Sequence, residues 1–260
     1  MEFLDSHAHL DDAAFEEDRE QIISEIRKAG VAKVISAGYS LEGSKKAIEL
    51  SKKYDFIHAT CGISPNDIPQ TEEELWKVLN EIEDLAQKND KVLAIGEIGL
   101  DYHWNKENIA LQKLAFIAQI KMANTLQKPI VIHTREAVMD MLTILKENKV
   151  EKRGVFHCCP LNRELVKEAL RLGFYISFAG PVTFKNSKNA NEIIQMVPLD
   201  KILIETDSPY LSPEPFRGKR NDSRNVKLVA QKIADVKNIT LEEVANFTFA
   251  NAKKIFQIKD

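Results

Sequence analysis

The sequence predicts a (β/α)8 barrel of the TIM type, and three observations carry that prediction. The chain has 260 residues, a length at which α/β barrels commonly form one domain. Short apolar segments rich in Val, Ile and Phe alternate with amphipathic segments along the whole chain. Several of the apolar segments end at His, Glu or Asp, the position from which barrels draw their chemistry.

The strand candidates are residues 3–9, 33–37, 57–61, 92–96, 129–133, 154–157, 174–178 and 201–205. Each is mostly apolar on both faces, as a parallel strand covered by helices must be. Apolar residues at three- and four-residue spacing predict helices over 18–29, 72–87, 112–126 and 163–172. Another helix is expected over 221–236, and Thr240-Leu241-Glu242-Glu243 opens a last one with a capping-box pattern. A doubly wound open sheet competes with the barrel, but it would show fewer strands and a Gly-rich first turn, which is absent. No linker, low-complexity stretch or sequence repeat interrupts the pattern, so residues 1–260 read as a single domain. The Pro- and Arg-rich stretch 209–224 reads as a long loop after the eighth strand, and such loops are usually functional.

Composition narrows the function. The chain is 44% hydrophobic and 29% charged, ordinary for a globular protein. With 36 Lys and Arg against 39 Asp and Glu, the net charge is −3, which excludes a global basic field for holding nucleic acid. The polar N-terminus lacks the apolar core of a signal peptide, and no run approaches a membrane span. The adjacent Cys158 and Cys159 make a disulfide framework a poor reading. A cytoplasmic protein with no membrane partner is expected, monomeric or weakly oligomeric.

The chemistry starts at Asp5-Ser6-His7-Ala8-His9-Leu10-Asp11. Residues two apart on a strand face the same way, so His7 and His9 aim two imidazoles into one volume. By itself the pair reads equally as two hydrogen-bonded structural histidines. Later strand ends add Glu97 after the fourth strand, His133 after the fifth, His157 after the sixth and Asp207 after the eighth. A lone His there is usually structural and a lone acid usually a helix cap. Ligand-type residues at five strand mouths on one rim point instead to a metal centre. Six groups are too many for one tetrahedral ion with an open position. Two divalent ions about 4 Å apart, bridged by Glu97, use them all. The expected division gives His7, His9 and Asp207 to one ion and His133 and His157 to the other. Mg, Mn and Zn are the candidate metals, with Fe or Co also compatible. Asp207 and Glu97 are the expected catalytic groups, Asp207 nearest the proton transfer.

The chain resembles the TatD family of metal-dependent deoxyribonucleases, within the amidohydrolase-like barrels. The resemblance rests on DSHAHLD at residue 5, GEIGLDYHW at 96, PIVIHTREA at 129, VFHC at 155, FAGPVTFKN at 178, LIETDSPYL at 203 and RGKRN at 217. It implies a two-metal phosphodiesterase acting on DNA, often as a 3′→5′ exonuclease, with the six residues above as ligands. Single-stranded or frayed DNA is the substrate expected. Two departures stand out. The family often has Gly-x-His-Pro-His after the third strand, where this chain has Gly62-Ile63-Ser64-Pro65-Asn66. It often has Phe-Ser-Gly-Ser after VFHC, where this chain has Cys159-Pro160-Leu161-Asn162. Both would narrow or shift the substrate range.

Substrate contacts are expected from Arg135 and from Arg217 and Arg220 in the loop cluster, since Arg grips phosphate in a bidentate way. Tyr102, Trp104, Tyr210 and Phe216 are candidates to stack on unpaired bases. His58, inside a strand, reads as structural, as does His103. Cys158, next to His157, is expected to point into the barrel wall. Two alternatives remain: a metal-dependent amidohydrolase or lactonase acting on a small molecule, and a catalytically silent barrel kept as a binding protein.

Overall fold

In the computed structural model, which describes residues 1–104 and 106–259, eight parallel strands follow one another in chain order around a barrel. They are β1 (Phe3–Ala8), β2 (Val31–Ser36), β3 (Ile57–Cys61), β4 (Val92–Asp101), β5 (Ile130–Arg135), β6 (Gly154–Phe156), β7 (Tyr175–Phe178) and β8 (Ile202–Ile204). The helices outside are α1 (Arg19–Lys28), α2 (Leu41–Lys53), α3 (Glu72–Lys88), α4 (Ile109–Thr125), α5 (Val138–Glu147), α6 (Arg163–Arg171), α7 (Ala190–Met196), α8 (Val226–Lys237) and α9 (Leu241–Ile255).

Strand β8 returns to β1 through a seam just beyond its regular part. Ala8 bridges Ser208, Asp207 N–H donates to His7 O at 2.9 Å, and His9 N–H donates to Ser208 O at 2.7 Å. The buried Asp5 carboxylate reinforces it by accepting from Thr206 N–H (3.0 Å) and Thr206 Oγ1 (2.5 Å). Burial lifts the Asp5 pKa to about 7 against these bonds.

One apolar layer lies between strands and helices, and a second fills the lower barrel. The second comprises Leu4, Ile35, Ala94, Val131, Val155, Tyr175 and Leu203 from seven strands, closed by Ala252, Ile255, Phe256 and Ile258 at the end of the chain. His58, opposite Ile35 in the β2–β3 register, is the buried β3 residue beside this layer. Both its ring nitrogens lack a hydrogen-bond partner among the described residues, and burial plus the charges of Lys91 and Lys33 pull its pKa to about 4.

The observed bounds depart from expectation in instructive places. Strand β4 runs five residues past the expected end at Gly96, to Asp101. Gly99 permits this, with φ +146° and a position where any Cβ would lie 1.9 Å from His133 O. β6 and β8 stop short, so His157 and Asp207 stand beyond regular ladder. The helix expected from 221 starts at Val226 after a 3-10 turn over Ser223–Asn225. Asn221 diverts the chain there by donating from Nδ2 to Thr206 O (3.0 Å) and Tyr210 O (2.8 Å). Thr240 and Glu243 form the anticipated capping box of α9.

Candidate metal centre

Six side chains from five strand mouths converge on the upper rim. His7 belongs to β1 and His9 follows it, Glu97 and His133 lie within β4 and β5, and His157 and Asp207 come just after β6 and β8. His7 and His9, two apart, share one face, and an irregularity in the β1–β2 register between Asp5 and Ala8 lets them face the interior along with Leu4. Asp207 takes a left-handed backbone with φ +55°, a conformation that Asp tolerates better than most residues.

Four donor atoms form the first half-site. His7 Nε2 lies 3.3 Å from His9 Nε2, 3.3 Å from Glu97 Oε2 and 3.7 Å from Asp207 Oδ1. His9 Nε2 lies 3.7 Å from Glu97 Oε2 and 3.3 Å from Asp207 Oδ1. A point equidistant from atoms so spaced is about 2.1 Å from each, a Zn–N or Zn–O bond length. The second half-site is a triangle: His133 Nδ1 to Glu97 Oε1 is 3.0 Å, His157 Nε2 to Glu97 Oε1 is 3.4 Å, and His133 Nδ1 to His157 Nε2 is 3.3 Å. An ion just off that plane would also have bonds of about 2.1 Å and keep an open position. Glu97 thus gives one oxygen to each half. His7, Glu97 and His157 also lie close enough together to form a ligand group, because the His7 and His157 rings stack at 4.0 Å between the halves. The donors fit first-row divalent ions, whose imidazole and carboxylate preferences they match.

Behind the candidate ligands stand two carboxylates that the sequence reading passed over. Asp101 Oδ2 accepts from His133 Nε2 at 2.9 Å, which leaves His133 Nδ1 free to ligate. Burial alone would raise the Asp101 carboxyl, but the bonds from His133 and from the Trp104 and His103 amides hold it at about 2. Glu205 Oε1 lies 3.4 Å from His157 Nδ1, an ion-pair distance without hydrogen-bond alignment. Period two from Glu97 reaches Asp101, and that was the one available signal; nothing distinguished Glu205 from a helix cap.

The charges are strongly coupled. Burial would push the His9 imidazole down, yet its hydrogen bond to Asp207 and the charges of Asp207 and Glu97 lift it to about 9. Against the same burial, Glu97 raises His157 well above the ordinary range. Burial and the His157 charge lower His7. Glu97 stays ionised because His157 and the hydrogen bonds from His133, His157 and His7 outweigh its burial. Asp207 is held down by His9 in the same way.

The expected substrate residues have diverse settings. Arg135 is exposed, with its guanidinium 5.2 Å above the Trp104 ring. Tyr102 is half-buried and its hydroxyl donates to Asp140 Oδ2 at 2.7 Å. Arg217 stacks 4.1 Å over Phe184 and reaches Asn186 Oδ1 at 3.2 Å. Arg220 is engaged by Asp18 (2.5 and 2.9 Å) and Ala14 O (2.6 Å), a fastening of loop to barrel rather than a free anion grip. Tyr210 donates to Asp12 Oδ2 at 2.6 Å beside His9.

Cys158, expected to point into the barrel wall, departs from regular strand geometry. Its φ of +35° breaks the alternation, it is half-buried, and burial with the nearby Asp207 and Glu205 charges raises its thiol pKa. The two departures from the family pattern have local uses. Ser64 Oγ donates to Asp67 Oδ2 (2.7 Å), Asn66 Nδ2 lies 3.5 Å from Asp101 Oδ2, and Asn162 caps α6.

Comparison with known proteins agrees with this fold. The family model described as TatD related DNase matches residues 4–257. The uncharacterised metal-dependent hydrolase YabD of Bacillus subtilis is 44% identical over 258 residues, covering 98% of this chain and 99% of that protein. The uncharacterised metal-dependent hydrolase YcfH of Escherichia coli is 38% identical over 265 residues, covering 99% and 97%. The crystal structure of YjjV, a TatD homologue from E. coli, superposes with a TM-score of 0.92 at 24% identity, covering 99% and 98%.

Proposed function

The chain belongs to the TatD-related DNase family of metal-dependent hydrolases, and from that premise we propose that it is a two-metal deoxyribonuclease. It hydrolyses phosphodiester bonds in single-stranded or frayed DNA, working from the 3′ end, with water as the nucleophile. The observation that carries this reading is the pair of half-sites sharing Glu97, one with four donor atoms and one with three.

Divalent ions held there would acidify water and neutralise charge developing on the transferring phosphoryl group. His7, His9 and Asp207 would hold one ion and His133 and His157 the other, with Glu97 offering an oxygen to each. Asp207, kept ionised by His9, accepts the proton that the attacking water loses. Asp101 and Glu205 hold the two imidazoles of the second half-site in orientation. Arg135 and Arg217, on segments leaving the rim, contact the backbone phosphates of the strand. The net charge of −3 makes these local contacts, rather than long-range attraction, the source of affinity.

The test is degradation of end-labelled single-stranded DNA with Mg²⁺, Mn²⁺, Zn²⁺ or EDTA, for wild type and Asp207→Asn. Metal-dependent shortening from the 3′ end, abolished by the substitution, is the expected result. DNA left intact by wild type with every metal, alongside turnover of cyclic amides or lactones, would replace the reading with a small-molecule amidohydrolase.

A further inference from the structure

The segment Tyr102–Trp104, just after β4, holds an exposed aromatic ring on firm footing. Asp101, the fully buried last residue of β4, divides its two oxygens. Oδ2 accepts from the ligand His133, and Oδ1 accepts from the backbone N–H groups of His103 (2.9 Å) and Trp104 (3.0 Å). Neighbouring side chains brace the same loop against the segment after β5. His103 Nδ1 is 2.6 Å from Glu136 Oε1, Tyr102 binds Asp140, and Arg135 lies over the indole. Trp104 is nevertheless 69% exposed.

A pinned loop that leaves a large apolar ring in water holds a surface ready for a flat partner, because the entropy of ordering it is already spent. The other exposed aromatics on the rim are placed differently. Tyr210 is tied to Asp12 on the opposite half of the centre, and Phe216 lies under Lys219.

We propose that Trp104, backed by the Arg135 guanidinium, is a stacking site for one unpaired nucleobase of the substrate strand, beside the His133–His157 half of the metal centre. The ring offers the π-face that every base can use, so the site is tolerant of sequence. Arg135 polarises the indole through a cation–π contact and presents its remaining N–H groups to the adjoining phosphate. A duplex end would have to fray to occupy the site, which gives a structural reason for preferring single strands. This assignment rests on the nuclease reading for its ligand.

The test uses Trp104 as its own reporter. The chain has two tryptophans, and Trp76 lies on α3, where it bonds Glu72, so Trp76→Phe leaves Trp104 as the sole indole. Titration of that metal-loaded variant with a phosphorothioate oligothymidylate should give saturable fluorescence quenching, and an oligomer abasic at its end should quench far less. In parallel, Trp104→Ala should raise KM for oligothymidylate by about 5- to 150-fold, the span of one lost base stack, with kcat changed less than about threefold on the same reasoning. Trp104→Phe should recover most of the KM. Normal DNA cleavage with equal quenching by both oligomers, or an unchanged KM in Trp104→Ala, would overturn the stacking site while leaving the nuclease standing. Base-dependent quenching without cleavage would support the site and count against the nuclease. Neither quenching nor cleavage would remove both.

Discussion

The sharpest perturbation of the candidate metal centre leaves every expected ligand in place. Asp101→Asn changes one atom of a fully buried side chain that accepts from His133 Nε2 and from two backbone amides. An amide of the same shape must turn its NH2 toward one of those partners. Facing His133, it meets an N–H and drives the ring to the other tautomer, placing the proton on Nδ1, the atom 3.0 Å from Glu97 Oε1 that would otherwise be free to ligate. Facing the His103 and Trp104 amides, it sets donor against donors and loosens the loop. Either way one hydrogen bond to a charged acceptor is lost, and outer-shell losses of this kind weaken metal binding by about 10- to 100-fold, or about 1.4–2.7 kcal/mol. The loss should fall on the second half-site alone, because His7, His9 and Asp207 do not touch Asp101. Calorimetric titration of the metal-free protein with Zn²⁺ or Mn²⁺ should therefore show the tighter event unchanged and the weaker one displaced. Both events unchanged within about twofold, against the tenfold minimum expected for an outer-shell loss, would refute the argument, as would selective loss of the first.

Three further outcomes are expected. In the metal-free protein His9 has a pKa of about 9 and His157 is raised as well, so at pH 7 binding must expel protons and affinity should climb as pH rises toward 9; enthalpies independent of buffer ionisation would contradict this. Folding depresses the His58 pKa to about 4, so the unfolded chain takes up the proton first; stability is intact above about pH 6.5 and falls as pH drops toward 4, by about 2 kcal/mol at pH 5. Urea unfolding of His58→Leu should show that acid-dependent loss removed relative to wild type, and an identical pH dependence would exclude His58 as its source. Gly99→Ala forces a Cβ onto His133 O in a left-handed backbone, so it should cost more than about 2 kcal/mol and weaken the second ion; a variant as stable as wild type would show that the β4–β5 ladder yields there.

The architecture was legible because its signal is repeated. Strands buried on both faces read as continuous apolar runs, and most are punctuated by the polar residue that ends them. The meeting of Glu97, His133, His157 and Asp207 with the His7–His9 pair could therefore be read from strand ends on one rim, while the register shifts in β1 and β4 that let His7, His9 and Glu97 face inward could not. What escaped depends on partners distant in sequence. Whether Asp101 or Glu205 supports an imidazole or caps a helix is set by β5 and β6, and the residues themselves do not record it. The positive φ at Cys158 was equally hidden, since nothing in His157-Cys158-Cys159 announces one. Arg220 looked free because Asp18, its partner, lies some 200 positions earlier.

The seam between β1 and β8 has a consequence for how the molecule comes apart. His7 and His9 sit at one end of the chain and Asp207 near the other, and the strands that carry them meet through a few bonds from Asp5, Ser6 and His9. A cation shared by these three side chains would act as a buckle, closing a loop of about 200 residues that would otherwise carry a large entropy of separation. Occupancy and closure of the ring are then one equilibrium, and each tenfold of free ion above its dissociation constant adds about 1.4 kcal/mol against opening. Chelation should unzip the barrel at this join, with the Asp207 and His9 amides exchanging first while the β4–β5 ladder stays protected.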